Sequence, residues 1–473
     1  MSIKRHTLQN LAGALVPIAF SLAIVPVYLH VVGVARYGVL ALVWLVVGYF
    51  GLFDLGLARA TAYHVARLHN ATNQARSQVF MNATFLNFCV GMVGAMVLYA
   101  ALPWLLHHGL KIPASLMPEM RNAPIWIASA VPLFTLNGVF LGALEGRQRF
   151  DLLNITASLS AILLQAVPLA VALLHGPSLR WLIPAVVLAR VLGTLGTLAC
   201  VQLALPITPG GLAIHRRHIA PLLRYGGWIS VSSLAGNALV ALDRILIAAS
   251  LGVVAVGYYT VPYNLVNRAG IFPGAVSTSL FPRLSQSEQA QSAALAARAS
   301  ATLAAVFTPI ILAGALAIPL FMRLWVGAAF ASHATPVALL LLVGVWANGL
   351  AYVPFAHLQA GGAAARTAWL HLLELPLFIA MLWLGLHFYG LVGAAIAWSL
   401  RCVGDALAVF LLAGLGGALR TLWPGLLLVL GALVLAWLLS PAILWLPGLA
   451  VLVLAALWAY RLVPDFTLRN LWR

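Results

Sequence analysis

Apolar residues run along nearly the whole chain in stretches of about 20, the length that crosses a hydrocarbon core roughly 30 Å thick. Short segments rich in Arg, Gly, Pro and His separate them. The pattern predicts fourteen membrane-spanning helices, near residues 10–32, 37–58, 79–102, 123–145, 152–174, 181–202, 226–250, 255–281, 299–322, 334–359, 366–386, 390–413, 421–439 and 441–460. Each run is apolar on every side, without the alternation of lipid-facing and lumen-facing residues that marks a membrane β-barrel. The expected class is therefore an all-α polytopic membrane protein.

Composition agrees. Of 473 residues, 63% are hydrophobic and 7% charged, against about 25% charged in a soluble domain. Charge sets the orientation. With the N-terminus inside, only Arg36, Lys111, Arg121, Arg180 and Arg323 of the 26 basic residues fall in outer loops. Arg190, Arg244, Arg268 and Arg401 lie within spans, and the others lie inside. By the positive-inside asymmetry both termini are cytoplasmic. The net charge of +17 is spread over short segments, which fits topology and anionic lipid better than nucleic acid. Cys89, Cys200 and Cys402 all fall in spans, so neither a disulfide framework nor a zinc site is expected. The opening MSIKRHTLQN and its apolar run resemble a secretion signal, but the run is too long and lacks a small-x-small cleavage site; it reads as a retained first helix.

The chain also repeats. GVARYG (Gly33–Gly38) and GVVAVG (Gly252–Gly257) share glycine spacing at outer turns, at an offset of 219 residues, and RVLG (Arg190–Gly193) matches RCVG (Arg401–Gly404) at 211. Two matches in the same order predict a duplicated six-helix bundle, with both halves entering the membrane in the same sense. The expected organisation is a lobe at 1–210, a second lobe at 211–415, and two added helices with a tail at 416–473. Duplicated bundles around a central cavity are a transporter architecture.

Ionised groups inside a bilayer are costly and usually face a partner or a wet cavity. Asp54, Arg190, Asp243, Arg244, Arg268, Glu374, Arg401 and Asp405 are the candidates. Arg401 and Asp405, one helical turn apart, share a face and are expected to pair with each other. Asp243 and Arg244 are neighbours whose side chains leave the helix about 100° apart, so each is expected to need a different partner or water. Arg190 and Arg268 have no acidic residue within a turn, so a counterion must come from another helix or from a ligand. Asp54 and Arg59 lie near the cytoplasmic end of their span, where snorkelling and a gating role both remain open. Glu374 has His371 on the same face, either as a proton carrier or as a neutral acid hydrogen-bonded between helices. A guanidinium pairs bidentately with phosphate and stays charged when buried, so the arginines point to an anionic headgroup. No phosphate loop, HExxH motif or cysteine cluster is present, so no cofactor or metal is expected. Glu119, His107 and His108 are the main outer-loop candidates for an enzyme active site.

Three stretches carry a family resemblance: YFGLFDLGLARATAYHVA (Tyr49–Ala66), ALDRILIAASLGVVAVGYYTVPYNLVNRAGIFPGAVSTSLFPRLS (Ala241–Ser285) and ARTAWLHLLELPLF (Ala365–Phe378). Together they resemble the oligosaccharide flippases of O-antigen and polysaccharide biosynthesis, within the multidrug/oligosaccharidyl-lipid/polysaccharide exporter superfamily. The resemblance implies two six-helix lobes around a cavity that opens alternately to each side of the bacterial inner membrane. It implies an undecaprenyl-pyrophosphate-linked oligosaccharide as substrate, flipped for O-antigen, capsule or exopolysaccharide synthesis, with membrane lipids, polysaccharide polymerases and glycosyltransferases as partners. Many members have twelve helices; fourteen is nearer the lipid II flippase relatives. On this reading Arg244, Arg268, Arg190 and Arg401 bind substrate, while Asp243, Asp54, Glu374, Asp405 and Arg59 serve ion coupling or gating. The alternatives are a small-molecule or drug antiporter of the same superfamily and a membrane glycan ligase or polymerase.

Overall fold

The computed structural model describes residues 3–50, 56–68, 71–206, 239, 241–440 and 443–463. All regular structure among them is helical. In chain order the helices are α1 (Ile3–Val31), α2 (Val34–Phe50), α3 (Leu57–Arg67), α4 (Asn73–Trp104), α5 (Ala123–Gly146), α6 (Phe150–His175) and α7 (Leu179–Ala204). There follow α8 (241–250), α9 (Val253–Asn267), α10 (Ile271–Gln286), α11 (Gln289–Val326), α12 (Ala328–Ala360), α13 (Ala364–Leu412), α14 (Gly416–Leu438) and α15 (Trp445–Leu462). Seven helices among the described residues are long and apolar enough to cross a membrane, and four shorter apolar helices accompany them. The protein is an all-helical, multi-pass membrane protein.

One departure from the expected spans follows from local chemistry. The predicted helix 255–281 is interrupted by a 3₁₀ turn at Arg268–Gly270, which separates α9 from α10. The two spans expected at 366–386 and 390–413 are both present, as the two helical arms of α13, which bends back at Gly390 (φ 55°, ψ −132°). Only glycine adopts that backbone conformation without steric cost. Its two arms touch where Gly385 and Gly393 leave no room for a side chain on either strand of the turn.

The chain forms two compact units, residues 1–257 and 258–473, with the boundary inside α9. In the first unit α5 is central, packing on α2, α3, α4, α6 and α7, while α1 lies against α6. In the second, α12 contacts α10, α11, α13 and α14, and α11 carries α14 and α15 on its flank. The GVARYG and GVVAVG stretches take the same local form. Gly33 and Gly252 have positive φ (81° and 89°), and a helix starts at the next residue in each case. Within the first unit the two motifs also meet: a Cβ on Gly38 would collide with the Val253 carbonyl, and one on Gly257 would crowd Val34.

α3 is short and amphipathic. Leu57, Ala60, Thr61 and Val65 are buried in a cluster with Phe80, Val139, Phe140, Leu144 and Val201. It lies close on α5 because Gly142 and Gly146 face the Ala58 and Ala62 carbonyls at distances that admit no Cβ. Its first residue follows Gly56, at φ 66°, and the Thr72 hydroxyl then caps α4 by accepting from the Ala75 N–H (3.3 Å).

Candidate functional site

In the first unit the strongest candidate is Arg190 on α7. α7 approaches α6 closely at Gly193, where a Cβ would lie 2.7 Å from Ser160 Oγ. This holds Arg190 in the interior at 7% exposure. Its guanidinium carbon lies 3.5 Å from the centre of the Phe134 ring on α5, and Nε has no hydrogen-bond partner. Among the described residues no carboxylate pairs with it. Burying a charge this way costs several kcal/mol, and a desolvated cation–π contact returns only about 2 kcal/mol. Among the described residues the guanidinium has no hydrogen-bond acceptor, which suits an anion supplied from outside. Phe134 was not apparent in the sequence, because an aromatic residue in an apolar span looks like any other packing residue.

On α8, Asp243 and Arg244 depart from expectation. Both are buried, at 0% and 5% exposure, and their side chains meet: Arg244 Nη1 lies 3.2 Å from Asp243 Oδ1, which also accepts from the Arg244 backbone N–H at 2.7 Å. The long guanidinium arm swings back over the 100° that separates the two Cβ directions. Each residue has further interactions as well.

In the second unit the α13 bend gathers four polar residues. Arg401 Nη1 lies 3.6 Å from Glu374 Oε2, and His371 Nε2 lies 3.7 Å from Asp405 Oδ1. Arg401 and Asp405, expected to pair along their own helix, reach instead across to the opposite arm. The physical reason is charge balance: pairing along the helix would leave Glu374 without a cation in an apolar setting. Arg401 also donates to Cys402 Sγ (3.2 Å) and lies 5.5 Å from the Phe378 ring, while His371 stacks on Phe355 of α12. Both Glu374 oxygens, Asp405 Oδ1 and Arg401 Nε lack hydrogen-bond partners. Arg401 and Glu374 are therefore ion-paired, and His371 approaches Asp405, at distances too long for hydrogen bonds, and these polar atoms retain capacity for water, a proton or a ligand.

Arg268 stands exposed in the 3₁₀ turn between α9 and α10 and has no acidic partner among the described residues. Arg59 lies on the exposed face of α3. Asp54 lies outside the described residues. No group of three or more His, Cys, Asp or Glu residues is placed to hold a metal among the described residues.

The outer loop has structural work of its own. Glu119 forms a bidentate pair with Arg36 at the start of α2 (3.0 and 2.5 Å) and accepts from the Leu179 N–H at the first turn of α7 (2.7 Å). Partial burial raises its carboxyl, but the Arg36 and Leu179 hydrogen bonds outweigh that and hold it below the ordinary value. Lys111 Nζ donates to the Ser250 carbonyl at the end of α8 (2.6 Å). His107 stacks edge-on against His108, and His108 against Trp104. Glu119 is thus tied into two helix ends, an arrangement that ill suits a catalytic acid.

This helical architecture has counterparts among solved membrane transporters. Its fold matches that of an inward-facing multidrug resistance MATE family transporter (TM-score 0.69, 17% identity, 87% of this chain and 99% of that one). It equally matches lipid II flippase MurJ in an inward closed conformation (TM-score 0.70, 13% identity, 97% and 99%). A Shigella flexneri protein described as an O-antigen transporter is 29% identical over 408 residues, covering 86% of this chain and 96% of its own length. Residues 4–288 match the polysaccharide biosynthesis protein family, and the chain belongs to that family. Its relatives are transporters, not enzymes.

Proposed function

We propose that the protein is a flippase that carries an undecaprenyl-pyrophosphate-linked oligosaccharide from the cytoplasmic to the outer leaflet of a bacterial inner membrane by alternating access. Both termini then face the cytoplasm. The observation that carries this reading is Arg190: a buried guanidinium without an acidic partner among the described residues, stacked on Phe134, needs an anion, and a pyrophosphate headgroup supplies one. The resemblance to an O-antigen transporter over most of both chains supports the lipid-linked glycan.

The four arginines then differ in readiness. Among the described residues Arg190 and Arg268 have no acidic partner, whereas Arg244 and Arg401 must leave Asp243 and Glu374 before they bind phosphate. Asp243, Glu374 and Asp405, with Asp54 and Arg59, are the groups assigned to coupling and gating. An apolar groove of about 660 Å³ on the flank of the second unit, lined by Leu316, Leu320 and Phe321 of α11 and Leu446, Leu449 and Leu452 of α15, accommodates hydrocarbon such as a polyprenyl tail.

The test is purified protein in liposomes containing a labelled lipid-linked oligosaccharide, scored for leaflet exchange without ATP. Exchange should occur with the natural protein and be lost with Arg190→Ala. Absence of exchange with the natural protein, alongside efflux of cationic drugs, would transfer the assignment to a drug antiporter. The carboxylates of the α13 cluster are the feature that favours that second reading.

A further inference from the structure

The outer loop between α4 and α5 is fixed firmly at one end and lightly at the other. Its 3₁₀ turn, Ala114–Met120, packs on α7 and buries Leu116 and Met120. Glu119 in that turn carries the bidentate pair with Arg36 of α2 and accepts from the Leu179 N–H of α7. An ion pair, a backbone bond and apolar burial together make this end an anchor.

At the other end the loop meets the α8–α9 turn through one residue. The Lys111 N–H donates to the Ala248 carbonyl (3.1 Å), and the Lys111 carbonyl accepts from the Val253 N–H (3.3 Å). Lys111 Nζ donates to the Ser250 carbonyl (2.6 Å). Ala248 and Ser250 belong to the last turn of α8, where carbonyls lack partners within the helix and favour a nearby cation. Gly252 permits the approach: it stands at φ 89°, and a Cβ there would lie 3.0 Å from the Lys111 carbonyl oxygen. Lys111 is exposed, so its side-chain bond competes with water and holds weakly.

The start of α9 also meets α2 backbone to backbone, Gly38 against the Val253 carbonyl and Gly257 against Val34. A seam of this kind has few interlocking side chains, so it can part and close again without repacking. The contacts form a ring: α2 to α9 at the glycines, the α8–α9 turn to the loop at Lys111, and the loop back to α2 at Glu119. We propose that residues 110–120 are a strap that keeps the α8–α9 turn closed on α2, anchored at Glu119 and released at Lys111, and that this release opens the outer side for substrate exit. The consequence for transport rests on the alternating-access reading above; the strap itself does not.

The test is the accessibility of a cysteine at the seam. Val253 is 1% exposed. In the full-length protein in liposomes, Val253→Cys should react slowly with a charged maleimide, counted above the chain without the added cysteine. Adding Lys111→Met should speed that reaction about fivefold, the equilibrium weight of one hydrogen bond, whereas Lys111→Arg should keep the slow rate. An unchanged rate in the methionine variant would overturn the proposal, even if that variant melts lower, because a mere helix cap costs stability without governing opening. Val34→Cys combined with Gly257→Cys gives a second measurement, since a Cβ on Gly257 would lie 3.1 Å from Val34 Cγ1, within reach of a disulfide. Oxidation of this pair should stop leaflet exchange of a labelled lipid-linked oligosaccharide, and reduction should restore it. Exchange at the natural rate with the disulfide formed would also overturn the strap. A natural protein that exchanges nothing would defeat the proposed function alone, and the maleimide rates would still decide the strap.

Discussion

Replacing Arg190 by methionine should make the protein more stable and less active at once. Arg190 is 7% exposed with no carboxylate against it among the described residues, a burden of several kcal/mol even after relaxation. The Phe134 contact at 3.5 Å offsets about 2 kcal/mol. Methionine fills a similar length, keeps contact with the ring and carries no charge. The expected gain is about 2 kcal/mol, which for a unit of 257 residues is a rise of roughly 4 °C or more in melting temperature. On the proposed function the same change removes the charged donor offered to the substrate phosphate, so leaflet exchange should fall at least about tenfold. Thermal unfolding in detergent and exchange in liposomes read the two effects separately. Arg190→Lys should be intermediate in transport, because it keeps the charge but not the planar fork. A Met variant that melts lower than the natural protein, or that exchanges substrate at the natural rate, would refute the reasoning.

Other outcomes follow from the same geometry. Arg268→Lys should keep partial exchange and Arg268→Ala lose it while still reaching the membrane; full exchange by the alanine variant would remove Arg268 from the mechanism. Arg401→Gln should destabilise by about 3–5 kcal/mol, since it strands Glu374 without its cation, and adding Glu374→Gln should restore much of the loss in thermal unfolding. Because the Glu119 carboxyl is held below its ordinary value, its tie to Arg36 stabilises the fold above the ordinary carboxylate range and is lost as pH falls through the lowered value. Glu119→Ala should remove that pH dependence and cost about 1–2 kcal/mol, the scale of a lost helix cap with an ion pair, read from melting temperature against pH.

Much of the fold was legible in order of residues, and the exceptions are instructive. The spans at α5, α6, α7, α11 and α12 lie where their apolar runs do, because insertion depends on transfer of each segment from water to hydrocarbon and on backbone bonds made within that segment. Such terms are local. The break at Arg268–Gly270 was less visible, since a glycine in a membrane helix is common and does not by itself mark a turn, whereas the bend at Gly390 falls between the two spans expected at 366–386 and 390–413.

The candidate residues themselves were also legible, because a charge in an apolar run is conspicuous. Their partners were not. Arg401 faces Glu374 and Asp405 faces His371 only because α13 doubles back, and Arg190 lies on Phe134 only because α5 and α7 pack side by side. Pair energies depend on distances between segments far apart in the chain, and periodicity within one helix carries no record of them. Sequence alone therefore determined that this is a multi-pass helical membrane protein carrying arginines at membrane depth. Tertiary structure decided which of those arginines are neutralised and which remain free to meet an anion.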